Sequence, residues 1–155
     1  MQQEKTLVLL KPCTVQRSLI GEIISRVEKK GLRIVGIKMM QLDEAILKQH
    51  YAHLAEKPFF PILRDSMMVT PVVAMALEGI DAIEVVRQMA GSTNGRKAAP
   101  GTIRGDYSMS GQEIIVHASD SAETAAAELK RFFKDEEIFS YDNPNLLSFY
   151  AKDEL

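Results

Sequence analysis

The chain of 155 residues has no tryptophan and a single cysteine, Cys13. One thiol can close no internal disulfide and build no thiolate metal cluster, and such sparing use suits a reducing cytosol. Long apolar runs are missing too. Leu7 to Leu10, close to the start, is too short and wrongly flanked for a membrane span or a secretory leader. No charge of one sign dominates: the formal net charge of -2 creates no global positive field for nucleic acid or anionic membrane, although a local basic pocket for a small polyanion stays open. Neither a glycine-rich Walker loop nor a protein-kinase catalytic-loop pattern occurs, which argues against ordinary P-loop chemistry. His50, His53 and His117 show no spacing that suggests a metal site. The final Lys152-Asp153-Glu154-Leu155 spells an endoplasmic-reticulum retrieval signal. Without a segment that takes the chain into the secretory pathway the tetrapeptide carries no address, so a cytoplasmic location is expected.

What is present is an ordinary globular composition, 46% hydrophobic and 26% charged, long enough for one well-filled core. With no linker or low-complexity tract, residues 1–155 read as one domain. Thr6 to Leu10 is an apolar run stopped by Lys11-Pro12, hence a buried strand. From Val15, the residues Leu19, Ile20, Ile23, Ile24 and Val27 share a helical face, and Lys29-Lys30-Gly31 supplies a basic last turn and a glycine stop. Arg33 to Met40 reads as a second strand and Asp43 to Leu54 as helical. Pro58-Phe59-Phe60-Pro61 reads as a rigid aromatic corner, and Pro71 to Leu77 as a third strand. Asp81 with Glu84 suits a helix start. Gly91 to Gly105 is a long loop rich in Gly, Ser, Thr, Asn and Pro, and loops of that length are usually functional or mobile. Ile114 to Val116 is a short strand, Asp120 with Glu123 opens a last helix, and the tail from Glu136 is less regular. The order predicts an α+β fold: a ferredoxin-like split βαβ sandwich with a four-stranded antiparallel sheet, helices on one face, and a helical insert between the halves.

His117 ends an apolar strand and immediately precedes a helix start, where backbone N–H groups favour an anion. On position alone, a histidine there is more often one buried at a strand end and satisfied by the chain. Glu128, further along the same helix, is placed to reach back to one ring nitrogen, fixing the tautomer and leaving the other as a nucleophile. Lys11, Arg87 and Arg104, with Thr93, carry no signal singly. Together they would neutralise a polyphosphate beside His117, as phosphoryl transfer requires. Phe59 offers a ring on which any nucleobase can stack, or is an ordinary core phenylalanine.

Ile115-Val116-His117-Ala118-Ser119-Asp120-Ser121 resembles the N-x-x-H-G-S-D signature of nucleoside diphosphate kinases, and Pro100-Gly101-Thr102-Ile103-Arg104-Gly105-Asp106 matches that family's loop motif. Val15-Gln16-Arg17, Gly21-Glu22-Ile23, His50-Tyr51, Pro58-Phe59-Phe60 and Pro71-Val72-Val73-Ala74-Met75 match as well, in unbroken register from about Lys5 to about Tyr141. The resemblance implies that His117 is the phosphorylated nucleophile, oriented by Glu128 and Ser119. It implies phosphate and ribose contacts from Lys11, Tyr51, Arg87, Thr93 and Arg104, base stacking on Phe59, and Mg²⁺ carried by the nucleotide phosphates rather than by a protein cage. It further implies ping-pong transfer between nucleoside tri- and diphosphates, and a homo-oligomer, hexamer or tetramer, built on a dimer.

The chain departs from the family pattern at several positions. Ile114 replaces the signature asparagine and offers a ribose no hydrogen bond; Ala118 replaces a glycine, and Cys13-Thr14 an acidic residue and a glycine. Gly95 stands where many members have proline, which predicts a loop with more freedom in the unfolded chain and weaker subunit assembly. Two readings compete with the enzyme. An RNA-binding sheet would need paired aromatics on its strands. A non-catalytic nucleotide-binding or regulatory relative leaves the co-occurrence of His117, Lys11 and Arg104 unexplained.

Overall fold

A computed structural model describes residues 2–155. Along the chain run β1 (Gln3–Leu10), α1 (Pro12–Gln16), α2 (Ile20–Lys30), β2 (Arg33–Met40), α3 (Glu44–His50), α4 (Phe60–Met68), β3 (Val72–Ile80), α5 (Ala82–Ala90), α6 (Ile103–Tyr107), β4 (Val116–Ala118), α7 (Ala122–Phe132) and α8 (Leu146–Phe149). The strands form one antiparallel sheet in the order β2-β3-β1-β4. This is the expected ferredoxin-like arrangement, in which β1 and β3 lie at the centre.

The expectation of helices on one face needs correction. Val8 and Leu10 of β1 pack with Val73, Met75 and Leu77 of β3 against α2 and α5. Leu7 and Leu9 point the other way, with Val72, Ala74 and Ala76, into a second core completed by Leu47, Phe60, Met67, Leu129 and Phe132. A strand buried on both faces gains nothing from polar alternation, which is why β1 and β3 read as unbroken apolar runs. No helix among the described residues is long and apolar enough to cross a membrane.

The helix ends show where local signals held and where they were overridden. Gly31 closes α2 as expected, with φ 103° and its N–H donated to the Glu28 carbonyl. The helical face from Val15 is broken in two by Ser18 at φ 56°. Asp81 does not cap α5; it sits at φ 52°, and the Ile83 N–H is taken instead by the Glu4 carboxylate from β1, at 2.9 Å. Ser121 caps α7, accepting from the Thr124 N–H at 3.1 Å. The proline corner opens α4, since proline is tolerated in a first turn where the N–H has no partner.

Loop Gly91–Gly105 is more structured than its composition suggests: Gly95–Lys97 forms a 3₁₀ turn, and α6 starts at Ile103 with Thr102 as its cap. The fourth strand lies two residues later than expected, at Val116–Ala118, because Ile115 adopts φ 68° in a γ-turn that returns the Val116 N–H to the Ile114 carbonyl at 2.7 Å. A β-branched residue with positive φ is strained, and here the strain is stored two residues from His117.

Candidate active site

The short strand β4 pairs with β1 and sets His117 opposite Leu9 in the register. Its ring nitrogen Nε2 lies 2.7 Å from Glu128 Oε2. The other carboxylate oxygen, Oε1, accepts from the Ser119 hydroxyl at 2.5 Å. A carboxylate only accepts, so the imidazole proton belongs on Nε2 and the Nδ1 lone pair is free. Glu128 and Ser119 are buried, whereas the His117 side chain is partly open to a cavity. Burial by itself raises the Glu128 carboxyl, but hydrogen bonds from His117 and Ser119 outweigh it and hold the group below its usual value. The result is an ionised, immobilised carboxylate behind the ring.

The cavity, of about 800 Å³, is also lined by Tyr51, Arg87, Thr93, Arg104 and Ile114. Arg104 reaches it from α6, anchored by three backbone carbonyls: Nε to Ile114 at 3.2 Å, Nη1 to Gly91 at 2.9 Å and Nη2 to Val116 at 2.8 Å. Those bonds fix the guanidinium plane and leave its other N–H groups for a ligand. Burial and the neighbouring Arg87 both disfavour its charge, so an anion between the two relieves a real electrostatic cost. Tyr51 stays a neutral phenol, pushed up to about 12 by burial and by the Glu128 charge.

Six of the nine expected site residues therefore meet at one cavity, and Ser119 stands behind Glu128. Lys11 and Phe59 do not line that wall. Lys11 is buried at the start of α1, its ammonium donated to the Gln112 carbonyl at 2.8 Å. Burial lowers its pKa, partly offset by Cys13 and Glu113. Phe59 precedes α4 and is 49% exposed, neither buried in the core nor on the cavity wall.

Two further residues belong to the site. His50, the last residue of α3, is buried with its ring edge-on to that of His117, centroids 4.6 Å apart. Its Nδ1 lies 3.0 Å from Arg131 Nη1 and 3.3 Å from Glu128 Oε2. Burial and the nearby His117 push its pKa down to about 3, so it is neutral at physiological pH. Two sequence signals were available, the His50-Tyr51 motif match and Arg131 three residues after Glu128 on the same helical face; neither marks His50 as facing His117.

His50, His117 and Glu128 are also a grouping of potential metal ligands. A cation does not fit them: the guanidinium of Arg131 already adjoins His50, and His117 Nε2 is committed to the carboxylate.

Residues 4–138 match the sequence model of the family described as nucleoside diphosphate kinase. A nucleoside diphosphate kinase of Parabacteroides distasonis is 70% identical over 151 residues, covering 97% of this chain and 99% of that one. Another, from Pyrococcus horikoshii, is 54% identical over 143 residues, covering 90% and 91%. Among solved structures, the halophilic nucleoside diphosphate kinase of Halobacterium salinarum in complex with CDP superposes with a TM-score of 0.93 at 42% identity, covering 97% of this chain and 100% of that one. Similarity of this extent, over nearly the whole length and at the level of both sequence and fold, leads to one conclusion: this chain belongs to the nucleoside diphosphate kinase family.

Proposed function

We propose that this nucleoside diphosphate kinase works through a phosphohistidine at His117 Nδ1. The observation that carries the reading is the Ser119–Glu128–His117 chain of hydrogen bonds, which presents a bare ring nitrogen to a cavity lined by Arg87 and Arg104 among others. In the first half-reaction the Nδ1 lone pair forms a bond to the γ-phosphorus as the bond to the β–γ bridging oxygen breaks, and those electrons leave on the nucleoside diphosphate. The Nε2 proton stays where it is, and the Glu128 carboxylate balances the positive charge that develops on the ring. In the second half, a terminal oxygen of an incoming diphosphate takes the phosphoryl group and the pair returns to Nδ1. Arg87 and Arg104 neutralise equatorial oxygens, with Thr93 and Tyr51 as neutral donors.

Mg²⁺ arrives with the substrate, shielding the nucleotide phosphates. Lys11 and Phe59 complete the expected set, for phosphate and base respectively; neither lines the cavity, so their contacts would depend on the nucleotide being present. The catalytic unit spans residues 1–155, acts in the cytoplasm and assembles as a homo-oligomer built on a dimer.

The test is incubation with Mg²⁺ and γ-labelled ATP and no acceptor. Acid-labile, base-stable label on the protein, discharged by GDP and absent from His117→Ala, is expected. Nucleotide binding without label would instead identify a non-catalytic relative.

A further inference from the structure

Glu128 and Arg131 stand three residues apart on α7, opposite charges on one helical face, a spacing at which such side chains ordinarily pair. Here each has a different partner. Glu128 Oε2 is 2.7 Å from His117, and Arg131 Nη1 is 3.0 Å from His50 Nδ1. The His50 side chain is 1% exposed and comes from α3, across the second core. Its Nδ1 faces both groups, but a single lone pair serves one donor, and the guanidinium is a permanent donor. The His50 proton is therefore on Nε2, which is buried with no hydrogen-bond partner. Leaving a buried donor unpaired is costly, so the ring is held there by what its other edge does.

We propose that His50 is a positioning residue that occupies Arg131 and keeps it from pairing with Glu128, so that the carboxylate stays bonded to His117. The inference rests on the phosphohistidine reading above. With an apolar side chain at position 50, the guanidinium turns to its i−3 neighbour, Oε2 is shared, and His117 loses both its tautomer and its orientation. Removing Arg131 as well removes the competitor, which separates this role from simple packing.

The experiment is rapid-quench measurement of His117 phosphorylation by Mg·ATP in wild type, His50→Leu, Arg131→Met and the double variant. Alone, His50→Leu is expected to slow phosphorylation roughly tenfold, the scale of a weakened hydrogen bond to a charged group. In the Arg131→Met background the same change is expected to cost less than about twofold, since no competing guanidinium remains. His50→Gln, whose amide oxygen can accept from Arg131, is expected to recover most of the rate. An equal cost of His50→Leu in both backgrounds, or no cost in either, overturns the proposal. Wild-type protein that takes no label would overturn the phosphohistidine reading itself, a distinct result. Imidazole ¹⁵N spectra of the wild type give a check that needs no variant to fold. A proton on His50 Nε2 is expected, and one on Nδ1 overturns the proposal.

Discussion

Ile114 shows how two roles of one residue separate. Its backbone carbonyl accepts from Arg104 Nε at 3.2 Å, a bond that any side chain permits. Its side chain is half-buried on the cavity wall, an aliphatic surface where the family signature has an amide. Arginine anchoring is therefore intact, while the side chain offers a ligand no hydrogen bond. Ile114→Asn is expected to lower the Michaelis constants for nucleotides roughly fivefold with little change in turnover, the scale of one neutral hydrogen bond. Steady-state kinetics with two nucleotide pairs checks this, and unchanged constants would mean the sugar is held elsewhere. Ala118 is a milder departure: it lies in regular β4 and is absent from the positive-φ residues, so nothing there required glycine.

At the scale of elements, the long loop is held by close backbone approach. A Cβ built at Gly95 would lie 2.1 Å from the Ser108 carbonyl oxygen, and the Gly95 N–H donates to the Ser110 carbonyl at 2.9 Å. Glycine there does more than loosen the unfolded chain, as its composition alone suggested; it lets the 3₁₀ turn lie directly on the segment after α6. Gly95→Ala, a change that commonly stabilises, is expected here to destabilise by about 1–3 kcal/mol. Calorimetry should show a melting temperature lower by about 2–4 °C per kcal/mol, and an unchanged or raised value would contradict the packing. Gly95→Pro is expected to do worse, because it also deletes the donated N–H. Since Arg104 sits between that turn and Ser108, looseness there is expected to appear in phosphate affinity as well.

For the whole molecule, among the described residues the sheet ends at β2, whose one strand partner is β3. That edge carries Ile37 and Met39, 49% and 57% exposed. The carbonyls of Ile34 and Val35 are already taken, by the Tyr141 hydroxyl and the Phe139 N–H, so it is the second half of the edge strand, with its apolar side chains, that forms a surface for pairing with another copy. Met39→Lys is expected to shift the assembly toward smaller species in sedimentation at micromolar concentration. An unaltered oligomer would place the subunit interface elsewhere.

Most of what is local was legible along the chain: β2 to the residue, the glycine stop of α2, the βαβ order, and His117 beside a helix start with Glu128 within reach. Each rests on a period, a cap or a motif that neighbours in the chain can enforce. The remainder depends on contacts between segments distant in the chain. The second core appears because helices return to the far face of strands already apolar on both sides. The Glu4 carboxylate displaces Asp81 as the cap of α5 because β1 brings it there, and the γ-turn at Ile115 shifts β4 because Arg104 and Lys11 hold the flanking carbonyls. His50 joins His117, Glu128 and Arg131 only when α3 closes on α7, two elements more than seventy residues apart in the chain. Side-chain chemistry is written residue by residue, but which charges compete for one carboxylate depends on distances that no spacing along the chain contains.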